Sequence, residues 1–223
     1  LAEFLLEKGY EVWGMLKRNS VAENQTARIP NSIFGKLNLV YGDLTDLSSL
    51  ISVIQKCNPD EIYNLAAQSH VRISFDQPIY TSTVTGLGVL NILESVRLIK
   101  PNIKVYQASS SEMFGNNICR NYRNSYGMFV ANGILFNHES PRRGSNFVTS
   151  KVTKEAVKIK LGLSNKLKLG NLDASRDWGH AKDYVEAMWL ILQHDKAEDF
   201  VCSTGISHTV KDLVEYVFKS LDL

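Results

Sequence analysis

The densest chemistry in the chain lies in the run Asn132 to Gly144, NGILFNHESPRRG. There an imidazole (His138), a carboxylate (Glu139) and two guanidiniums (Arg142, Arg143) follow a short apolar strand, Ile134 to Phe136. A guanidinium grips phosphate through two parallel hydrogen bonds, so adjacent arginines in the loop after a strand point to a phosphate-bearing ligand. The competing reading of Arg142 and Arg143 is plain surface charge; their place beside Asn137 and His138 favours ligand contact. His138 taken singly is more often a structural hydrogen-bonder than a catalyst, and nothing nearby gives it a metal-ligand pattern. A second run, Arg176 to Val185 (RDWGHAKDYV), repeats the chemistry. Its Arg176–Asp177 pair also suits an internal salt bridge, and Trp178 and Trp189 read as core.

Four smaller clusters stand at strand ends. Lys17-Arg18 suits the 2′-phosphate of NADP, where an acidic residue would favour NAD; a solvated basic turn is the equal alternative. Asp43, in Gly42-Asp43-Leu44, suits an adenine amino group or the start of the next helix. Leu65 to His70 (LAAQSH) has small side chains that let backbone approach a ligand, or that serve tight strand–helix packing. Ser109-Ser110-Ser111-Glu112 offers three hydroxyls and a carboxylate for a sugar and for proton movement. Its rival role is a helix N-cap, strongest for Ser109, with Glu112 favoured by the helix dipole.

The elements that must carry these clusters alternate. A helix at the N-terminus stops at Lys8-Gly9. Strands are predicted at Glu11 to Leu16, Leu37 to Tyr41, Glu61 to Leu65, Lys104 to Ala108, Met128 to Phe136 and Phe200 to Cys202. Helices are predicted from Thr45 or Asp46 to Cys57, between Pro78 and Ile99, near Asn117 to Tyr126, from Thr149 to Lys160, from Ala181 to His194, and from Thr209 with Asp212 in a capping-box-like position. Ala22 to Lys36 reads as polar and irregular. Alternating strand and helix argues for an α/β, doubly wound parallel sheet covered on both faces, with ligands bound beyond the carboxyl ends of the strands.

Composition sets the bounds. A chain of 223 residues, 44% of them hydrophobic, is long enough for one large domain, or a domain and a smaller lobe. A net charge of +2 argues against a general nucleic-acid surface. Three widely spaced cysteines (Cys57, Cys119, Cys202) fit neither a zinc pattern nor a disulfide framework, so a reducing compartment is expected. No apolar stretch approaches the ~20 residues of a membrane span, and the first residues lack the charged start and cleavage site of a signal peptide. A cytoplasmic setting is expected.

Taken in order, the strings LAEFLLEKGYEV, YGDLTD, PDEIYNLAAQSHV, YQASSSEMFG, NYRNSYGMF, NGILFNHESPRRG and GNLDASRDWGHAKDYV resemble the GDP-mannose 4,6-dehydratases of the extended short-chain dehydrogenase/reductase superfamily. The resemblance runs from Leu1 to Val185. It implies a Rossmann-like NADP-binding domain over residues 1–136 and a mainly substrate-binding lobe over 137–223, with Ala181 to Cys202 packing back on the first. It implies GDP-mannose as substrate and an internal redox cycle. Hydride leaves C4, water is lost across C5 and C6, hydride returns to C6, and the product is GDP-4-keto-6-deoxy-mannose. Matched position by position, Ser110 hydrogen-bonds near the C4 oxygen and Glu112 moves protons at C5 and C6. Lys17, Arg18, Asn19, Ser20, Asp43, Leu44, Leu65, Ala66, Ala67, Gln68, Ser69, Tyr80, His138 and Arg143 fall on cofactor-binding positions. Asn137, Val148, Lys151, Gly170, Asn171 and Arg176 fall on the substrate side, with Arg176 suited to the diphosphate. No metal is implied, nor a nucleic-acid or membrane partner; a homodimer or homotetramer is.

Two family features are missing. The chain begins within the helix that should follow an opening strand and a glycine-rich GxTGxxG turn. The family also carries a Tyr-x-x-x-Lys pair between the Ser-x-Glu segment and NYR. There Tyr takes the C4 hydroxyl proton, and Lys lowers the Tyr pKa. In this chain Phe114-Gly115-Asn116 runs directly into Asn117-Ile118-Cys119-Arg120-Asn121-Tyr122, and no tyrosine is followed by lysine four residues on. Either the sequence joins two stretches of a longer protein near Asn116 or Asn117, or the segment is deleted and dehydration is not expected. Two rival functions remain: another NAD(P)-dependent nucleotide-sugar epimerase or dehydratase, and a catalytically inactive cofactor-binding relative. Glu112, two residues after Ser110, favours dehydration over epimerisation.

Overall fold

The structure is a computed structural model that describes residues 1–18, 29–67, 71–109 and 114–223. The chain forms two compact units. One comprises Leu1–Ile134 with Val185–Phe200, the other Leu135–Tyr184 with Val201–Leu223.

In the first unit, helix α1 (Ala2–Glu7) leads into β1 (Trp13–Leu16), which pairs in parallel with β2 (Asn38–Tyr41) from Trp13↔Asn38 to Leu16↔Tyr41. A short helix, α2 (Asn31–Phe34), occupies part of the stretch expected to be irregular. Pro30 precedes it with extended backbone and a φ already suited to helix entry. Helix α3 (Leu47–Cys57) starts where the sequence places it, because the Asp46 side chain accepts from the amides of Ser48 and Ser49. It ends at Asn58, whose φ of 43° is left-handed, one residue before Pro59.

Strand β3 (Glu61–Asn64) pairs in parallel with β4 (Lys104–Ser109), and β4 with β5 (Val130–Leu135); β8 (Asp199–Cys202) lies beyond β5. Most of β4 is buried on both faces, as a central parallel strand requires. Between β3 and β4 the chain forms α4 (Val71–Asp76), α5 (Pro78–Ser82), a π-helical turn (Thr83–Leu87) and α6 (Gly88–Ile99). The first of these was not expected. The helical region expected between Pro78 and Ile99 is helical throughout, with the π turn joining α5 to α6.

The core joins Leu50 and Ile54 of α3 to Val89, Ile92, Leu93 and Val96 of α6, and continues to Val105, Val130 and Cys119. Cys119 lies on α7 (Phe114–Tyr126). Each such buried aliphatic side chain contributes about 1.5–3 kcal/mol. Although all these strands are parallel, β1 and β3 belong to different sheets. Their facing edges bound a largely apolar slot of about 600 Å³, lined also by Leu5, Leu44, Leu50, Ile54 and Ile92.

In the second unit β6 (Asn137–Glu139) pairs in parallel with β7 (Ser175–His180), which pairs antiparallel with β9 (Ser207–Thr209). The sequence reading made Asn137 to Glu139 the start of a loop and assigned no strand to Ser175–His180 or Ser207–Thr209. These segments are polar and do not alternate, so pairing with neighbours, rather than local pattern, makes them strands. Helix α8 (Val148–Lys160) packs against α10 (Val210–Lys219). Helix α10 begins at a complete capping box: Asp212 N–H donates to Thr209 Oγ1 at 3.0 Å, and Thr209 N–H to Asp212 Oδ2 at 2.8 Å. Helix α9 (Ala181–Gln193) spans the boundary between the units along the chain.

Candidate functional site

The parallel register of β1 and β2 sends Lys17 and Asp43 out of the same sheet end. Lys17 Nζ lies 3.0 Å from Asp43 Oδ2. Asp43 Oδ1 accepts from Thr45 N–H at 2.9 Å and Thr45 Oγ1 at 2.8 Å. The hydrogen bond that Lys17 donates to Asp43 raises the Lys17 pKa, and the Thr45 amide, with Lys17, lowers that of Asp43. Both groups are therefore charged across the neutral range. Lys17 Nζ also stands 5.6 Å from the Tyr80 ring centre, and the Arg18 guanidinium 4.6 Å from that of Tyr41. The Lys17 side chain remains 57% exposed, so its ammonium can meet a ligand while Asp43 holds it.

Leu44 is buried in the core and offers no side chain to a ligand. Leu65, Ala66 and Ala67 follow β3 and are exposed; Leu65 and Ala66 border the same slot as Leu44. Asn64 holds that strand end by donating to Gln107 Oε1 at 2.7 Å and accepting from Ala66 N–H at 3.2 Å. Ser109 is the buried last residue of β4. Asn19, Ser20, Gln68, Ser69, Ser110 and Glu112 lie outside the described residues.

The two most family-specific runs meet as neighbouring strands in the second unit. Asn137 is in register with Trp178, His138 with Gly179 and Glu139 with His180. The His138 ring stacks on Tyr184 and its Nδ1 lies 2.9 Å from the Phe136 carbonyl. Arg143 Nε stands 3.4 Å from Glu139 Oε2, and its guanidinium lies 3.6 Å from the Phe147 ring centre. Thr149 Oγ1 donates to Glu139 at 2.7 Å. Glu139, Phe147 and Tyr184 therefore hold Arg143 and His138, and none was singled out from sequence as doing so. The i,i+4 spacing of Glu139 and Arg143 was the available signal.

Arg176 and Asp177 point to opposite faces of β7, and they do not form the internal salt bridge that their adjacency allows. Arg176 is exposed, whereas the buried Asp177 accepts from the Thr204 and Gly205 amides at 3.1 and 2.8 Å. Burial disfavours the Asp177 charge, but the donors around it bring its pKa below the usual carboxylate value. Val148 opens α8, and Lys151, one turn on, lines a pocket of about 650 Å³ with Glu155 and residues 162–168. Gly170 and Asn171 follow this loop, both exposed, and Asn171 Oδ1 accepts from Asp173 N–H at 2.9 Å.

Among the described residues no group of three or more His, Cys, Asp or Glu could hold a metal ion, and no helix is long and apolar enough to cross a membrane.

A family model described as GDP-mannose 4,6 dehydratase matches the chain in two pieces, residues 1–118 and 116–223. The chain is 48% identical to the human GDP-mannose 4,6 dehydratase over 253 aligned positions, covering 98% of this chain and 68% of that one. It is 46% identical to the Vibrio cholerae GDP-mannose 4,6-dehydratase, covering 99% and 68%. In both, the aligned length exceeds the chain's 223 residues, so the alignments span positions that the chain lacks. Among solved structures, a dTDP-glucose 4,6-dehydratase from Bacillus anthracis in complex with NAD superposes with a TM-score of 0.82 at 19% identity, covering 99% of this chain and 76% of that one. RMD from Pseudomonas aeruginosa complexed with NADPH gives 0.75 at 22% identity, covering 84% and 74%. Likeness at such identity shows the shared Rossmann-type fold.

Proposed function

Because the chain belongs to the GDP-mannose 4,6-dehydratase family, we propose that it serves the conversion of GDP-mannose to GDP-4-keto-6-deoxy-mannose with NADP as its nicotinamide cofactor. The observation that carries this reading is the pairing of Asn137–Glu139 with Trp178–His180, which unites the two most specific runs in one sheet.

The cationic end of β1 fits the cofactor chemically. Lys17, fixed by Asp43, and Arg18, lying against Tyr41, offer two positive charges to a ribose 2′-phosphate. Leu65 to Ala67 present short, exposed backbone to the rest of the dinucleotide. Held by Lys17, Arg18 and the Leu65–Ala67 backbone, NADP would supply the reversible hydride transfer that C4 oxidation and C6 reduction need.

The other steps belong to the protein. Arg176 is exposed and free to face the diphosphate, with Lys151, Gly170 and Asn171 bordering the same nucleotide. Ser110 holds the C4 oxygen. Glu112 takes the C5 proton, made acidic by the 4-keto group, and delivers a proton to the departing C6 hydroxyl, which leaves as water. The first unit holds the dinucleotide and the second most of the sugar nucleotide. A dimer or tetramer in a cytoplasmic setting completes the reading, and the three free thiols accord with that compartment.

The C4 hydroxyl needs a base, and no tyrosine of this chain has the lysine partner at the fourth following position. The family model divides at residues 116–118, where such a pair would stand. This favours a second reading for the 223-residue chain as written: binding without turnover.

The test is calorimetric titration of mass-verified protein with GDP-mannose, UDP-glucose, NADP and NAD, followed by product analysis. Selective binding of GDP-mannose and NADP is expected, with turnover only when a Tyr-x-x-x-Lys segment is inserted after Asn116. Failure to bind GDP-mannose would overturn the substrate, and turnover by the uninterrupted 223-residue chain would overturn the need for the pair.

A further inference from the structure

We infer that Asn91 is a positioning residue for the proposed cofactor site, acting through a single peptide group on the carboxylate that holds Lys17. The inference rests on the reading of Lys17 as a cofactor contact. Asn91 lies inside α6, where asparagine is a poor helix former, so its presence asks for a side-chain role. Its amide donates to the Leu44 carbonyl at 2.8 Å. The other end of that same peptide, Thr45 N–H, donates to Asp43 Oδ1 at 2.9 Å. A peptide group is planar and rigid, so fixing its oxygen from α6 also fixes the direction of its N–H. The carboxylate aligned by that N–H keeps its second oxygen 3.0 Å from Lys17 Nζ.

Two further observations support this relay. Leu44 is 6% exposed, which leaves its carbonyl little water, so it needs an internal donor. Residue 88, on the same face of α6 one turn earlier, is glycine. A Cβ there would stand 3.0 Å from the Leu44 Cβ, so the absence of a side chain lets α6 come close enough for the Asn91 amide to reach. The lowered Asp43 pKa, caused first by the Thr45 amide, is the electrostatic trace of the same arrangement.

The test compares the wild-type protein with Asn91→Ala and Asn91→Gln. Two readouts are used: the Asp43 carboxylate pKa by NMR without ligand, and dissociation constants for NADP, NAD and 2′,5′-ADP. In Asn91→Ala the Asp43 pKa should rise toward the ordinary carboxylate value, and NADP and 2′,5′-ADP should weaken by about tenfold. The NADP-over-NAD preference should fall by about fivefold, and Asn91→Gln, which keeps a donor amide, should recover part of it. Adding Asn91→Ala to Lys17→Ala should change the preference little further, because both act on one contact. An Asn91→Ala protein that melts earlier but keeps its Asp43 pKa and its preference would overturn the inference. If the wild-type protein binds neither dinucleotide, the cofactor reading fails by itself; the Asp43 titration still judges Asn91, and an unmoved Asp43 overturns its positioning role.

Discussion

The His138 imidazole lies flat on Tyr184, with ring centres 4.8 Å apart and planes inclined by 22°. Tyr184 is 4% exposed, and its hydroxyl finds no hydrogen-bond partner among the described residues. Burying an unpaired hydroxyl costs about 1–3 kcal/mol. Tyr184→Phe keeps the stacking face and removes that cost, so chemical denaturation should show a gain of about 1 kcal/mol. Tyr184→Ala removes the platform as well and should lose about 3 kcal/mol.

Gly133 and Tyr106 are neighbours on adjacent strands, with no space between them. A Cβ at residue 133 would fall on the Tyr106 ring, which is fully buried in β4 and cannot swing out to solvent. Gly133→Ala should therefore lower stability by about 1–3 kcal/mol, as overpacking of a dense core does. Tyr106→Phe shortens the side chain at the point of conflict, so the double variant should lose less than the two single losses added together.

Glu94 gives the first unit an acid-sensitive joint. Its carboxylate accepts from Arg97 Nε and Nη2 at 2.9 and 2.8 Å, and from the Tyr122 hydroxyl of α7. Arg97 first and Tyr122 second bring its pKa down to about 2. The folded value lies below the unfolded one of about 4.3, so the contribution is fully present above that pH. It drains away as pH falls through about 2. Glu94→Gln should flatten the dependence of the unfolding midpoint on pH between about 4.5 and 2, leaving the dependence above pH 6 unchanged.

The three thiols should separate by reactivity. Cys119 is fully buried on α7, and burial pushes its thiol up to about 12. Cys57 and Cys202 are half-buried, and burial raises their pKa values too. Since the thiolate is the reacting form, an aromatic disulfide reagent at pH 8 should label Cys57 and Cys202 slowly and leave Cys119 untouched. Labelling of all three should require denaturant. Rapid native labelling of Cys119 would contradict its burial.

What the sequence disclosed depended on whether a residue's role was local. Asp46 as an N-cap, Asn58-Pro59 as a stop and the Thr209–Asp212 box are decided within four residues, and each stands where the sequence puts it. Strands β6, β7 and β9 are decided by partners far along the chain, and their polar residues carry no period to betray them. The candidate site divides the same way. Lys17 and Asp43 were legible at strand ends, but their ion pair was not, because it depends on the parallel register of two strands. The roles of Ser110 and Glu112 follow from resemblance.

Strand β4 is laddered on both sides, to β3 and to β5, and most of it is buried. Its backbone amides should therefore keep their protection from solvent deuterium longest in the first unit, exchanging only when that unit opens as a whole. Deuterium uptake along Val105–Ser109 thus becomes a residue-level gauge of the unit's global stability, against which each core substitution can be read.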